Sequence, residues 1–139
     1  MIAEFVKVWE ENKHLLREEF EKAHPDEYTD IVRGVIRVIS HIDSYDKPDP
    51  NRIHRIDDGE YQGTLVFVIA GHGYQPWDYW YVKVSYGSCS GCDTLMAIQD
   101  GFNWGEDNRK PNKQQVDDYM TLALHILQGI KKMGDGDGD

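Results

Sequence analysis

The chain has 139 residues, of which 40% are hydrophobic and 29% charged, with 25 acidic against 15 basic side chains for a formal net charge of −10. That composition excludes collagen-like, low-complexity and disulfide-scaffold classes and fits one globular domain able to bury a core without staples. The acidic balance argues against direct binding to a nucleic-acid backbone, and no apolar run approaches the ~20 residues of a membrane helix.

The first element is an amphipathic helix from about Ala3 to Ala23. Phe5, Val6, Trp9, Leu16, Phe20 and Ala23 recur at helical spacing, while Glu10, Glu11, Lys13, Arg17 and Glu18 fill the other side. His24-Pro25 ends it, because proline disfavours a helical residue before it. Pro25 then opens a second helix with Asp26 and Glu27 near its positive end and Tyr28, Ile31, Val32, Val35, Ile36, Ile39 and Ile42 on its buried face. Its β-branched richness leaves a strand open as the alternative for Val35 to Ile42.

Asp43 to Arg52, with Pro48 and Pro50, reads as a polar linker, Ile53 to Asp57 as a short strand, and Asp58-Gly59 as a turn. Thr64 to Ala70 is apolar on both alternating sets, which predicts a central strand covered on both faces. After the loop Gly71 to Trp77 comes a strand from Asp78 to Ser85, with Trp80, Val82, Val84 and Tyr86 on one face and Tyr79, Tyr81 and Lys83 on the other. The short connection predicts antiparallel pairing.

Leu95, Ile98 and Phe102 suggest a short helix, and Val116, Tyr119, Met120, Ala123, Leu124, Leu127 and Ile130 stripe a long one. Asn112 with Gln115 three residues on is its capping pair. Lys131 and Lys132 suit its negative end, and Gly134 stops it. The expected fold is α+β: a three-stranded, mainly antiparallel sheet packed against two N-terminal helices and one C-terminal helix. A single domain spans residues 1–133. The Gly/Asp tail 134–139 has no apolar residue to bury and is expected to be disordered.

Both cysteines lie in Tyr86-Gly87-Ser88-Cys89-Ser90-Gly91-Cys92-Asp93. Two thiols at this spacing can cycle between dithiol and disulfide or hold half of a tetrahedral zinc site. A thioredoxin-like fold needs more strands and helices after the motif than follow Cys92, and Asp93 opposes thiolate formation. A zinc site would need two histidines, His72 first and His54 next, because His14, His41 and His125 fall on predicted helices and His24 at a helix junction. The alternative without cofactor is a tight glycine turn with small buried thiols. Such a turn also offers backbone N–H groups that can form an anion nest, so Ser88, Cys89, Ser90, Gly91, Cys92 and Asp93, with the nearby Tyr79, Tyr81 and Tyr86, make a candidate small-molecule or peptide-carboxylate site. Asp57, Asp58 and Glu60 are candidate paired acids, although Asp58-Gly59 is already explained by a turn. The sequence holds no serine-nucleophile motif, phosphate loop or dinucleotide fingerprint. The aromatic density of Trp77, Tyr79, Trp80 and Tyr81 points instead to an interaction surface.

Three blocks carry a resemblance. Asp57-Asp58-Gly59-Glu60-Tyr61-Gln62-Gly63-Thr64-Leu65, then Tyr86 to Leu95, then Asp118-Tyr119-Met120-Thr121-Leu122-Ala123-Leu124-His125 resemble a group of small bacteriophage and prophage proteins, with Gly-Ser-Cys-Ser-Gly-Cys-Asp-Thr-Leu the most specific block. Around Gly71 to Trp77 this chain is shorter than that group. The resemblance implies a phage product acting in a bacterial cytoplasm, in keeping with an N-terminus that lacks a signal-peptide pattern, and it transfers no catalytic residue. The resulting expectation is a non-enzymatic protein that binds a host or phage protein, in one form an acidic inhibitor of a host defence or nucleic-acid-handling complex. The alternatives are a zinc or thiol-redox protein centred on Cys89 and Cys92, and a small-molecule-binding domain using the cysteine loop.

Overall fold

In the computed structural model, residues 2–43, 47–59, 63–71, 78–87, 94–99 and 109–133 are described. The helices are α1 (Ile2–Lys22), α2 (Tyr28–Ile39), α3 (Thr94–Gln99) and α4 (Lys113–Gln128). The strands are β1 (Pro48–Gly59), β2 (Gly63–Gly71), β3 (Tyr79–Tyr86) and β4 (Lys131–Lys132). The strands form one antiparallel sheet in the order β1-β2-β3-β4.

The α+β class and antiparallel pairing stand as expected, but the sheet has four strands rather than three, and a fourth helix, α3, joins the three of the expected packing. The fourth, Lys131–Lys132, pairs with Trp80 and Tyr81, so the two lysines belong to a strand rather than a helix end. Helix α4 stops at Gln128 with Gly129 as its C-cap, because Gly129 and Ile130 turn the chain back toward β3. A Cβ at Gly129 would come within 3.4 Å of Val82, which shows how closely the helix end lies on the sheet. The tail 134–139 lies outside the described residues.

Helix α2 settles the helix-or-strand alternative. It is helical to Ile39, and Ser40 closes it with its N–H on the Ile36 carbonyl at 2.9 Å. At its start, the Asp30 carboxylate accepts from the N–H groups of Asp26 and Glu27. Ile31, Val32, Gly34, Val35, Ile36, Val38 and Ile39 are all buried. Asp30, Arg33 and Arg37 keep the opposite side polar and partly exposed, so α2 is an amphipathic helix despite its β-branched content. At Gly34 the close neighbour is α1: a Cβ there would stand 2.5 Å from Leu16 Cδ1.

Strand β1 starts at Pro48, so half of the expected linker, residues 48–52, is strand. Both prolines precede the continuous ladder that begins at Ile53, and edge strands tolerate proline because it has no N–H to donate. Asp58 and Gly59 also stay in the ladder, opposite Thr64 and Gly63, so the pair expected as a turn is strand. Strand β2 is central, as expected. Its two faces differ, with Leu65, Phe67 and Ile69 buried and Thr64, Val66, Val68 and Ala70 only partly so.

The core therefore lies on one side of the sheet. Leu65, Phe67, Ile69, Trp80, Val82 and Val84 join Phe5, Trp9, Leu16 and Phe20 of α1, the α2 stripe, and Val116, Tyr119, Ala123 and Leu127 of α4 in one cluster. Arg17 of α1 pairs with Asp117 of α4 at 2.7 Å, and that guanidinium hydrogen bond holds the Asp117 carboxyl below the usual carboxylate range. No helix among the described residues is long and apolar enough to cross a membrane.

Candidate functional site

Cross-strand register decides what each face of the sheet presents. Residues directly opposite one another point to the same side. Val66 sits between Ile56 and Lys83, and Val68 between His54 and Tyr81; Ala70 faces Tyr79. These residues lie on the side away from the buried core. Tyr79 is 41% exposed and Ile56 47% exposed, while Val66, Val68 and Tyr81 keep partial exposure. Four aliphatic side chains and two phenols thus line an outer face that joins rigid aromatic anchors to a polar margin of His54, Lys83 and Ser85. That combination suits protein recognition.

Tyr86 does not belong to this face. It shares the parity of Trp80, Val82 and Val84 and points to the helix side, so the structure separates it from Tyr79 and Tyr81. There its hydroxyl donates to Asp57 Oδ1 at 2.5 Å. The pair forms one wall of a cleft of about 190 Å³ that is also lined by Tyr28, Leu65, Leu95, Met96 and Gln99, with Asp26, Glu27 and Arg55 near its mouth. The Tyr28 hydroxyl accepts the Leu95 N–H at 3.1 Å, and the Gln99 amide donates to the Pro25 carbonyl at 2.8 Å. These two bonds fix α3 against the start of α2. Tyr28 and the pairing of Asp57 with Tyr86 had no separate signal in the sequence. Asp57 was a candidate acid, and the structure engages it as a phenol acceptor.

Ser88, Cys89, Ser90, Gly91, Cys92 and Asp93 lie outside the described residues, as do His72, Trp77 and Glu60. Tyr86 and Leu95, each two positions outside the segment 88–93, both line the cleft. His54 is exposed on the outer face of β1, opposite Val68. Among the described residues, no group of three or more His, Cys, Asp or Glu side chains is placed to hold a metal ion.

Charge is organised on α1. Lys13 pairs with Glu10 at 2.8 Å and Arg17 with Asp117. Glu4, Glu11 and Glu18 are exposed and have no ion-pair partner among the described residues. They recur every seven residues, which on a helix is a rise of about 10.5 Å per step along one side.

Compared with protein-family models, curated proteins and solved structures, the chain gives no match.

Proposed function

We propose that this protein is a non-enzymatic binding module of phage type, and that it docks on a host or phage protein through the outer face of its sheet. The observation that carries the reading is the cross-strand set of Val66, Val68, Tyr79 and Tyr81, an apolar and aromatic surface on the side of the sheet away from the core. Exposed tyrosines supply large contact area at low conformational cost, which is why they concentrate at binding hot spots. The acidic balance of the chain, 25 acidic against 15 basic side chains, supports the more specific form of the proposal, an acidic inhibitor that meets a basic surface on a host defence or nucleic-acid-handling complex.

The test is saturable capture of a partner from host lysate by the wild-type protein, repeated with Tyr79→Ala combined with Tyr81→Ala. The expected result is a partner retained by wild type and lost by the folded double variant. Absence of any saturable partner, or equal retention by both proteins, overturns the proposal.

A second reading, a small-molecule-binding domain, draws support from the cleft at Tyr86. Its walls flank the cysteine segment and combine two phenols with Leu65, Leu95 and Met96. It predicts a ligand-induced rise in melting temperature across a metabolite and nucleotide panel, with the rise abolished by Tyr86→Phe. A flat panel retires it.

A further inference from the structure

β1 ends the sheet, with β2 on one side and no described strand on the other. An edge of this kind presents unpaired N–H and C=O groups, and proteins commonly guard it with proline and charge. Pro48 and Pro50 guard only its first residues. From His54 to Asp57 every residue is exposed, with Arg55 and Asp57 lining the cleft on the helix side and Ile56 on the outer side. Ile56 is 47% exposed, among the largest exposures of any described large hydrophobic residue.

The charges there do not repel a second copy. We infer that β1 pairs antiparallel with β1 of a second copy of this chain, about a twofold axis passing through Ile56. In that register Ile56 meets Ile56 of the partner copy on the outer side of the sheet, and on the helix side each Arg55 stands opposite an Asp57, giving two Arg-Asp pairs. Moving the axis by one residue to Arg55 sets arginine against arginine. Moving it to Asp57 sets aspartate against aspartate. Like charges directly opposite one another destabilise a strand pair, whereas opposite charges and apolar pairs stabilise it. The strand thus encodes its own register.

The side chains are available for this role. Arg55 has no ion-pair partner among the described residues. Asp57 receives the Tyr86 hydroxyl on Oδ1, which leaves Oδ2 for a guanidinium. A twofold axis perpendicular to the sheet keeps the helices of both copies on one side and joins two four-stranded sheets into one. The outer faces then form one continuous surface. This self-association is separate from the proposed function, since the partner-binding tyrosines lie on β3.

Sedimentation velocity of the full chain across the micromolar range tests the inference. Wild type is expected to show a concentration-dependent dimer. Arg55→Glu and Asp57→Lys are each expected to weaken it by about tenfold or more, since both create two like-charge pairs. Mixing the two variants is expected to restore association at wild-type strength, because the hetero-pair regains both opposite-charge contacts. Asp57→Lys also removes the Tyr86 contact, so folding is checked by circular dichroism. Ile56→Glu and Ile56→Lys repeat the test without touching that bond: each self-repels at the axis, and the mixture again associates. A wild type that stays monomeric, variants that dimerise unchanged, or mixtures that fail to associate overturn the inference.

Discussion

His24 Nδ1 and the hydroxyl of Tyr119 stand 2.7 Å apart, although 95 positions separate them in the chain, and their rings meet edge to face. Phe20 packs on the same phenol ring with centroids 5.3 Å apart. The end of α1 and the middle of α4 are joined there by one aromatic residue that is fully buried.

Burial pushes the Tyr119 hydroxyl from the usual 10.0 up to about 12, because the phenolate cannot be solvated in the core. In the unfolded chain the hydroxyl loses its proton first, so over that interval the folded state binds more protons and stability falls as pH rises. The contribution is complete below pH 10.0 and lost as pH climbs through about 12. Urea melts along this range should show the decline. Tyr119→Phe should flatten this part of the alkaline loss while costing about 1 kcal/mol at neutral pH. An alkaline slope identical in both proteins would refute the assignment.

Gly34→Ala tests the seam between α1 and α2. In an open helix the change is worth about 1 kcal/mol of added stability. Here the new methyl lands 2.5 Å from Leu16 Cδ1, and Leu16 is itself 1% exposed, so it has little room to withdraw. The expected net effect is a destabilisation of about 1–2 kcal/mol from overpacking. In a Leu16→Ala background the same substitution should become neutral or stabilising. Strict additivity in that double-mutant cycle would show that the two side chains do not collide.

Gln115 is 4% exposed and uses both ends of its amide. Oε1 accepts the Asn112 N–H at 2.9 Å, and Nε2 donates to the Ile98 carbonyl at 2.9 Å. Gln115→Leu should cost about 2–3 kcal/mol, because it leaves a part-buried donor and a buried acceptor without these partners. Gln115→Glu keeps the acceptor but turns a carboxylate toward the Ile98 carbonyl. Its deficit relative to wild type should shrink as pH falls and the carboxyl gains a proton able to donate. Denaturant melts at neutral and mildly acidic pH will distinguish the two variants.

The Asn112–Gln115 cap was legible in the sequence because it is a local pattern read at fixed spacing, and so were α1, α4 and the alternating faces of β3. What escaped depends on partners far along the chain. Lys131 and Lys132 carry no strand signal of their own and become β4 only because Ile130 anchors beside β3. Pro48 and Pro50 read as linker residues because nothing local reveals an edge strand. At the cleft, Asp57 and Tyr86 lie 29 positions apart and Tyr28 and Leu95 lie 67 apart. Their pairings follow from sheet register and helix docking, which residue spacing does not disclose. Tyr79 and Tyr81 could be separated from Tyr86 by parity alone. Which side of the sheet the helices cover could not.

The long-range bonds joining α1 to α4 also set a timetable. Hydrophobic partners on β1, β2 and β3 follow one another closely in the chain, so the meander can assemble from short loop closures, whereas docking α1 on α4 closes the longest loop in the fold. A ribosome adding about 5–20 residues per second needs several seconds or more to travel from the end of α1 to α4. Over that interval Phe20 waits for Tyr119 with only the neighbouring helix to shield it. The nascent first helix is therefore the segment on which a chaperone would find its longest hold.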